Sequence, residues 1–378
     1  MSEAKSVNVK KGLEGVVADT TKVSKVMPDI NALVYKGYPV QELAENCTFE
    51  EVAYLLWNDE LPKEEELKSF KMQEKDYRGI SQELKDVIKK FPKTAHPMDT
   101  VRTGVSFLGM EDSRTFDNSV DVNRDKALRL LAAIPTVIAA DYRVRNGKEI
   151  IDPNVDLSFS ENFFHMCFGE VPAAEVVKAF DVSLILYAEH GFNASTFTSR
   201  VITSTTSDMY SAVTGAIGAL KGPLHGGANE QVMHMLKEVD NPATAADWMR
   251  TALKEKRKVM GFGHRVYRSG DSRVPTMKKY AAGLGKWKGE EKWQQISDAL
   301  EQTMIDEKNI YPNLDFPAGP AYYLMGFEIE MFTPIFVMAR ISGWTAHIME
   351  QISENRIIRP LCEYIGPGER KFVPMSER

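Results

Sequence analysis

Cysteine is scarce in this 378-residue chain: Cys47, Cys167 and Cys362 are the only three, and none stands in a CxxC pair. An odd count without paired spacing argues against a disulfide framework or a zinc cage and suits a reducing compartment. Neither GxGxxG nor GxxxxGK[ST] occurs, so there is no case for a Rossmann fold or a P-loop. Positive charge is also short. With 47 basic against 53 acidic residues the formal net charge is -6, and without an overall positive field nucleic acid is not an expected partner. The opening residues MSEAKSVNVKKG lack the apolar run of a signal peptide and the arginine and serine bias of a transit peptide, which leads us to expect a cytoplasmic protein. An uninterrupted membrane span is missing as well. The long apolar run MFTPIFVMARISGWTAHIM carries Arg340 at its centre and His347 two turns on, both costly in lipid, so it predicts a buried soluble helix and no membrane partner.

Alternating strand patterns are few, weakly present only in KSVNVKKGLEGVVADTTKVSKV near the start. Helical spacing dominates instead. Thr48 and Glu51 have capping-box spacing ahead of Val52, Leu55 and Leu56. Leu84, Val87, Ile88 and Phe91 repeat the period, and Pro97 suits the first turn of a helix with Val101, Val105 and Leu108 facing inward. EVVKAFDVSLILY, residues 175–187, is apolar on nearly every side, as a helix enclosed by others should be. Glycine and proline gather at KGPLHGGAN (221–229) and NLDFPAGP (313–320). These two joints would bound a smaller inserted domain and serve as hinges.

The chemistry concentrates in a few short segments. GFGHRVYRSGDSR, residues 261–273, holds one histidine and three arginines. Its glycines let the backbone come close to a ligand and put His264 on an exposed corner, while Arg268 and Arg273 offer planar forks suited to carboxylate or phosphate. A solvated basic loop is the competing reading. In KGPLHGGANE, His225 opens a helix, where the N-terminal dipole disfavours imidazolium, and a neutral ring there can donate to a developing oxyanion; helix capping is the alternative. Asp315, next to Phe316 and Pro317, is either a desolvated general base or an ordinary cap. His190 ends the enclosed helix. Arg340 has no acid within one helical turn, so a ligand carboxylate or a distant acid must balance it. Arg359, taken alone, belongs to the surface.

Together these segments resemble the citrate synthase family. GFGHRVYRSGDSR matches its signature loop position by position, LHGGANE and NLDFPAG follow in the family's order, and the likeness runs from about Gly12 to Arg370. YAEHGFNASTFTSRVI, SDMYSAVTGAIGAL and MFTPIFVMARISGWTAHIMEQ are similar to the short bacterial branch that includes 2-methylcitrate synthases. The resemblance implies a mainly α, two-domain helical fold with a minor N-terminal β element. Residues 1–222 and 327–378 would form the large dimerisation domain, and 223–326 the small domain carrying the catalytic and CoA loops.

The resemblance further implies that Asp315 takes a proton from the α-carbon of an acyl-CoA, that His225 stabilises the enol or enolate, and that His264 polarises the keto carbonyl of oxaloacetate. His190, Arg273 and Arg340 would hold the oxaloacetate carboxylates, and Arg359 would reach into the site of the partner subunit of a homodimer. Arg268 corresponds to a CoA phosphate contact, and backbone from Val259 through Met260, Gly261, Phe262 and Gly263 to an adenine cradle. No cofactor and no metal is implied, since acetyl-CoA or propionyl-CoA is itself a substrate.

Other features read blandly. His165 and Cys167 lack a second ligand pair, and His96, His234 and His347 suit packing or capping, with His347 placed to support Arg340. The KEKRK run at 254–258 is a solvated helix end, in which Lys256 is a candidate for drawing in CoA phosphates. A metallohydrolase would need HExxH or clustered carboxylates, which the sequence lacks. An inactive helical binding protein would have lost an acid or a base, yet Asp315, His225 and His264 are all present.

Overall fold

The computed structural model describes residues 9–267 and 269–378. Among them are sixteen α-helices and one small antiparallel sheet, β1 (Ser24–Met27), β2 (Ala32–Tyr35) and β3 (Tyr38–Pro39), in the order β1-β2-β3. Local signals account for several helix starts. Thr48 caps the helix Phe49–Asn58, its backbone N–H donating to Glu51 Oε2 at 2.7 Å in a complete capping box. The helix Pro97–Glu111 opens on its proline behind His96, whose Nδ1 accepts from the Met98 N–H at 3.2 Å, and Val101, Val105 and Leu108 are buried.

The helix Phe332–Ser353 forms the axis of the molecule: every residue from Phe332 to Ile348 is buried. It packs against the helices Val120–Arg145, Ala174–Tyr187, Ala194–Ser204 and Met209–Leu220. Such all-round enclosure explains why the sequence is apolar on every face rather than along one stripe. No helix among the described residues is long and apolar enough to cross a membrane. A second group, Ala228–Val239, Ala245–Lys254, Val274–Lys288, Lys292–Lys308 and Asp315–Leu324, packs chiefly on itself and touches the first through helices 174–187 and 332–353.

Three local expectations need correction. Within the described part of the N-terminal run only Ser24–Met27 is strand; residues 9–23 form a turn-rich segment with left-handed backbone at Gly12, Leu13 and Gly15. The pattern ending at Phe91 stops earlier, in the helix Gln82–Ile88. The joint expected at NLDFPAGP is mostly the helix Asp315–Leu324, which runs through Pro317 and Pro320. Gly319 is there for packing, since a Cβ on it would lie 2.9 Å from the Asn229 carbonyl oxygen. The chain breaks instead at Gly326, with φ of 96°.

Candidate active site

The loop that carries His264 is fixed by its glycines. Gly261 and Gly263 have φ of 82° and 78°, and a Cβ on Gly261 would meet the Val232 side chain at 2.6 Å. Backbone bonds Gly263 N–H to Tyr311 O (2.8 Å) and Asn313 N–H to Gly261 O (2.9 Å) zip this loop to the segment leading into Asp315. Two distant motifs thereby face one cavity. His264 Nδ1 accepts from the backbone N–H groups of Val266 and Tyr267 at 3.0 and 3.1 Å, which assigns the ring proton to Nε2. Burial, and then the charge of Arg273, lower its pKa to about 4. The ring is therefore a neutral donor through Nε2 at physiological pH.

His225 lies in the turn just ahead of the helix Ala228–Val239. The fixed backbone N–H of Ser195 donates to its Nε2 at 3.3 Å, and Ser195 Oγ stands 2.8 Å from the same nitrogen. A backbone N–H cannot turn away, so Nε2 is the acceptor and Nδ1 carries the proton. Ser195 Oγ is itself held by the indole N–H of Trp344 at 3.0 Å and by Asn193 Oδ1 at 2.8 Å. Burial and the charge of Arg340 push the His225 pKa down to about 3. This ring, too, is neutral.

Asp315 is the first residue of the helix Asp315–Leu324, and its backbone N–H donates to Asn313 Oδ1 at 3.1 Å. Its Oδ1 accepts from the Tyr187 hydroxyl at 2.7 Å, and no protein donor among the described residues bonds Oδ2. Burial raises the carboxyl pKa to about 6, against the opposing effects of the Tyr187 bond and Arg273. Such a group is ionised at neutral pH yet more basic than an exposed aspartate, as a general base should be. Tyr187 is itself packed against Phe336, ring centroids 4.1 Å apart.

Cations gather beside these three. Arg273 is buried and pairs in parallel with Asp271, Nε to Oδ1 at 2.9 Å and Nη2 to Oδ2 at 2.7 Å. Asp271 Oδ2 also accepts from the Leu314 N–H at 3.2 Å, so one carboxylate ties the arginine to the residue before Asp315. Arg340 is buried with its Nε donating to Tyr187 O at 2.6 Å, and burial lowers its pKa to about 10. The His190 ring lies 4.9 Å from that of His264, centroid to centroid. His190 Nε2 and Arg340 Nη1 are buried without any hydrogen-bond partner among the described residues. An unpaired polar atom in a protein interior is costly, and a ligand can satisfy one that faces a cavity.

His190, His225, His264, Arg273, Asp315, Arg340 and Tyr187 line one cavity of about 970 Å³, together with Val259, Met260, Gly261, Phe262 and Gly263. Lys256 is exposed and outside its wall, because it follows the end of the helix Ala245–Lys254 and turns outward; Lys258 lines the cavity in its place. Arg359 is exposed in a C-terminal segment without regular structure and also stands outside the wall. Arg268 lies outside the described residues. Sequence reasoning missed Asp271, Tyr187 and Ser195, as well as Gly12–Val16, which line one side of the cavity. Asn193 at the cap position ahead of Ser195 was a legible signal; an acid two residues before an arginine has no periodic signature.

Comparison with known proteins gives three concordant findings. The family model "Citrate synthase, C-terminal domain" matches residues 12–361. The chain is 56% identical over 363 residues to the 2-methylcitrate synthase of Mycobacterium tuberculosis, covering 96% of this chain and 92% of that protein, and 53% identical over 372 residues to the citrate synthase of Mycolicibacterium smegmatis, covering 98% and 99%. Among solved structures, the ternary complex of carboxymethyl coenzyme A and oxaloacetate with citrate synthase from Thermoplasma acidophilum superposes with a TM-score of 0.94 at 34% identity, covering 98% of this chain and 99% of that one.

Proposed function

The chain belongs to the citrate synthase family, and we propose that its cavity joins oxaloacetate to an acyl-CoA through Asp315, His225 and His264. Enzymes of this kind are acyltransferases. In the first step Asp315 removes a proton from the α-carbon of the thioester while His225 Nδ1–H donates to the thioester oxygen, where negative charge collects. A preorganised donor aimed at developing charge is worth roughly 3 to 4 kcal/mol. The enol carbon then attacks the keto carbon of oxaloacetate. His264 Nε2–H polarises that carbonyl and passes its proton to the new alkoxide. Water finally cleaves the thioester, releasing CoA and citrate from acetyl-CoA, or 2-methylcitrate from propionyl-CoA.

The observation that carries this reading is the pair of orphaned buried atoms, Arg340 Nη1 and His190 Nε2, beside two neutral imidazole donors and one basic carboxylate. Together with Arg273 they suit a ligand with two carboxylates and a keto group. The Thermoplasma enzyme was solved with oxaloacetate and a CoA analogue, which supports the same ligand classes here. Val259 to Gly263 and Arg268 would hold the CoA portion.

Residues 1–222 and 327–378 as a large domain, and 223–326 as a small one, would close on oxaloacetate and exclude water from the enolate. Gly222–Gly227 and Gly326 would absorb the rotation. The exposed apolar side chains Ile357, Leu361, Ile365 and Phe372 suit a tail laid over a second copy, with Arg359 delivered to that copy's site. A cytoplasmic homodimer is the form this predicts.

One methylene in an apolar pocket changes binding by only about 1 to 3 kcal/mol, so both acyl-CoAs should react. The test is thiol release with acetyl-CoA and propionyl-CoA in parallel. Release that requires oxaloacetate supports the reading, and the ratio of the two kcat/KM values decides the preferred acyl group. Folded protein that releases no thiol from either would overturn it.

A further inference from the structure

Arg340, Gly343 and His347 recur at helical intervals on one side of the helix Phe332–Ser353. The segment Ala188–Glu189 crosses that side at very short range. A Cβ on Gly343 would lie 2.3 Å from Glu189 Oε2 and 2.4 Å from the Ala188 carbonyl oxygen, so only glycine admits the carboxylate there. Glu189 is fully buried, as is His347.

The two oxygens of Glu189 are treated differently. Oε1 receives the His347 ring nitrogen Nε2 at 2.8 Å, the Ser24 hydroxyl at 2.9 Å and the Gly191 N–H at 2.5 Å. Oε2 has no hydrogen-bond partner among the described residues. The pull of His347 holds Glu189 below the usual carboxylate range despite burial, and Glu189 in turn holds His347 above the usual imidazole range. Outward, His347 Nδ1 faces Arg200 Nη1 at 3.3 Å and Glu350 at 3.6 Å, and Glu350 stands 2.7 Å from Arg200. Arg340 forms no ion pair with Glu189 or any other described acid, yet Glu189 is the foremost influence keeping it charged against burial and Arg273.

We infer that Glu189 is a positioning residue for the dicarboxylate end of the cavity: it shapes the turn that aims His190 and serves as the counter-charge of Arg340 without occupying the arginine's fork. The inference rests on the synthase reading of the site. An acid bonded to Arg340 Nη1 would take the one donor atom that is left open to the ligand carboxylate. Glu189 stays off the fork because His347, Ser24 and Gly191 fix Oε1 while Oε2 lies against Gly343. The same Oε1 to Gly191 bond closes the turn around His190, with Gly191 at φ of 57°. His347 acts one step further back, as the group that holds Glu189 in place.

The test is Glu189→Gln, which keeps the shape and the Oε1 acceptor but removes the charge. Charge-assisted hydrogen bonds are about twice as strong as neutral ones, so the oxaloacetate KM, and its Kd measured calorimetrically without acyl-CoA, should rise roughly tenfold. The acyl-CoA KM should stay within about twofold, because that substrate meets neither His190 nor Arg340. A residue that only supports the fold would lower the yield of active enzyme without moving the oxaloacetate KM of the folded fraction. An unchanged oxaloacetate KM in folded E189Q therefore overturns the inference. Should E189Q fail to fold, His347→Gln decides in its place, with the same split expected and the same null result fatal. Failure of the synthase reading would look different: the unaltered protein would bind no oxaloacetate at all.

Discussion

Replacing Asp315 by asparagine separates catalysis from stability in opposite directions. The amide keeps the size of the side chain and an oxygen for the Tyr187 hydroxyl, which lies 2.7 Å from the carboxylate, and loses the charge. Burial lifts the Asp315 carboxyl from its ordinary 3.8 to about 6. A folded state that holds a proton more tightly than the unfolded chain is penalised wherever that proton must be lost, so the penalty is full above about pH 6 and fades as the pH falls towards 4. At about 1.4 kcal/mol per pKa unit, ionised Asp315 costs the folded protein about 3 kcal/mol at pH 8 and about 1.5 kcal/mol at pH 5. The Asp315→Asn variant escapes that cost. With an unfolding entropy of about 2.1 cal/mol/K per residue over 378 residues, the variant should melt about 4 °C above the parent at pH 8. Its kcat should meanwhile fall roughly 10²- to 10⁴-fold, as expected for loss of a general base. Parent kcat/KM for acyl-CoA should decline as the pH drops through about 6. Calorimetry at pH 5 and pH 8, with thiol release at both, checks all of this. A variant retaining a tenth of the parent kcat, or a stability gap identical at the two pH values, would refute the reasoning.

Three further perturbations probe neighbouring links. Ser195→Ala removes the hydroxyl that steadies His225 and strands the Trp344 indole; kcat should drop roughly 10- to 100-fold with little change in oxaloacetate KM, as read from initial rates. Asp271→Asn leaves Arg273 buried without its partner, which should cost about 3 to 5 kcal/mol in denaturant unfolding at neutral pH. Because pairing with Arg273 holds Asp271 far below its ordinary value, the stabilisation it confers is present above pH 4 and lost only in strong acid, so the two proteins should converge there. Arg359→Ala should lose oxaloacetate affinity, and co-expression with Asp315→Asn should restore about a quarter of the parent sites, one in each mixed dimer. Absence of any recovery would remove Arg359 from the site of the partner subunit.

Much of this protein was legible before its tertiary structure. Helix periods, the Thr48 capping box and the Pro97 helix start depend on residues within a turn or two of each other, which any sequence displays. The glycines around His264 and the lone Arg340 inside an apolar run announced their positions for the same reason, because a left-handed turn or an unbalanced charge is a local fact. The Gly319 joint failed since a glycine needed for helix packing and one needed for a bend look alike in one dimension.

Contact decided the rest. Ser195, 30 residues from His225, sets that ring's proton; Tyr187, 128 residues from Asp315, bonds that carboxylate; His347, 158 residues from Glu189, completes the buried pair. Tautomers, pKa values and the freedom of the Arg340 fork depend on which groups share a water-poor space. Residue types and their spacing determined what chemistry this chain could carry, while desolvation and long-range hydrogen bonds, which exist only once the helices pack, decided in what protonation state each group would carry it.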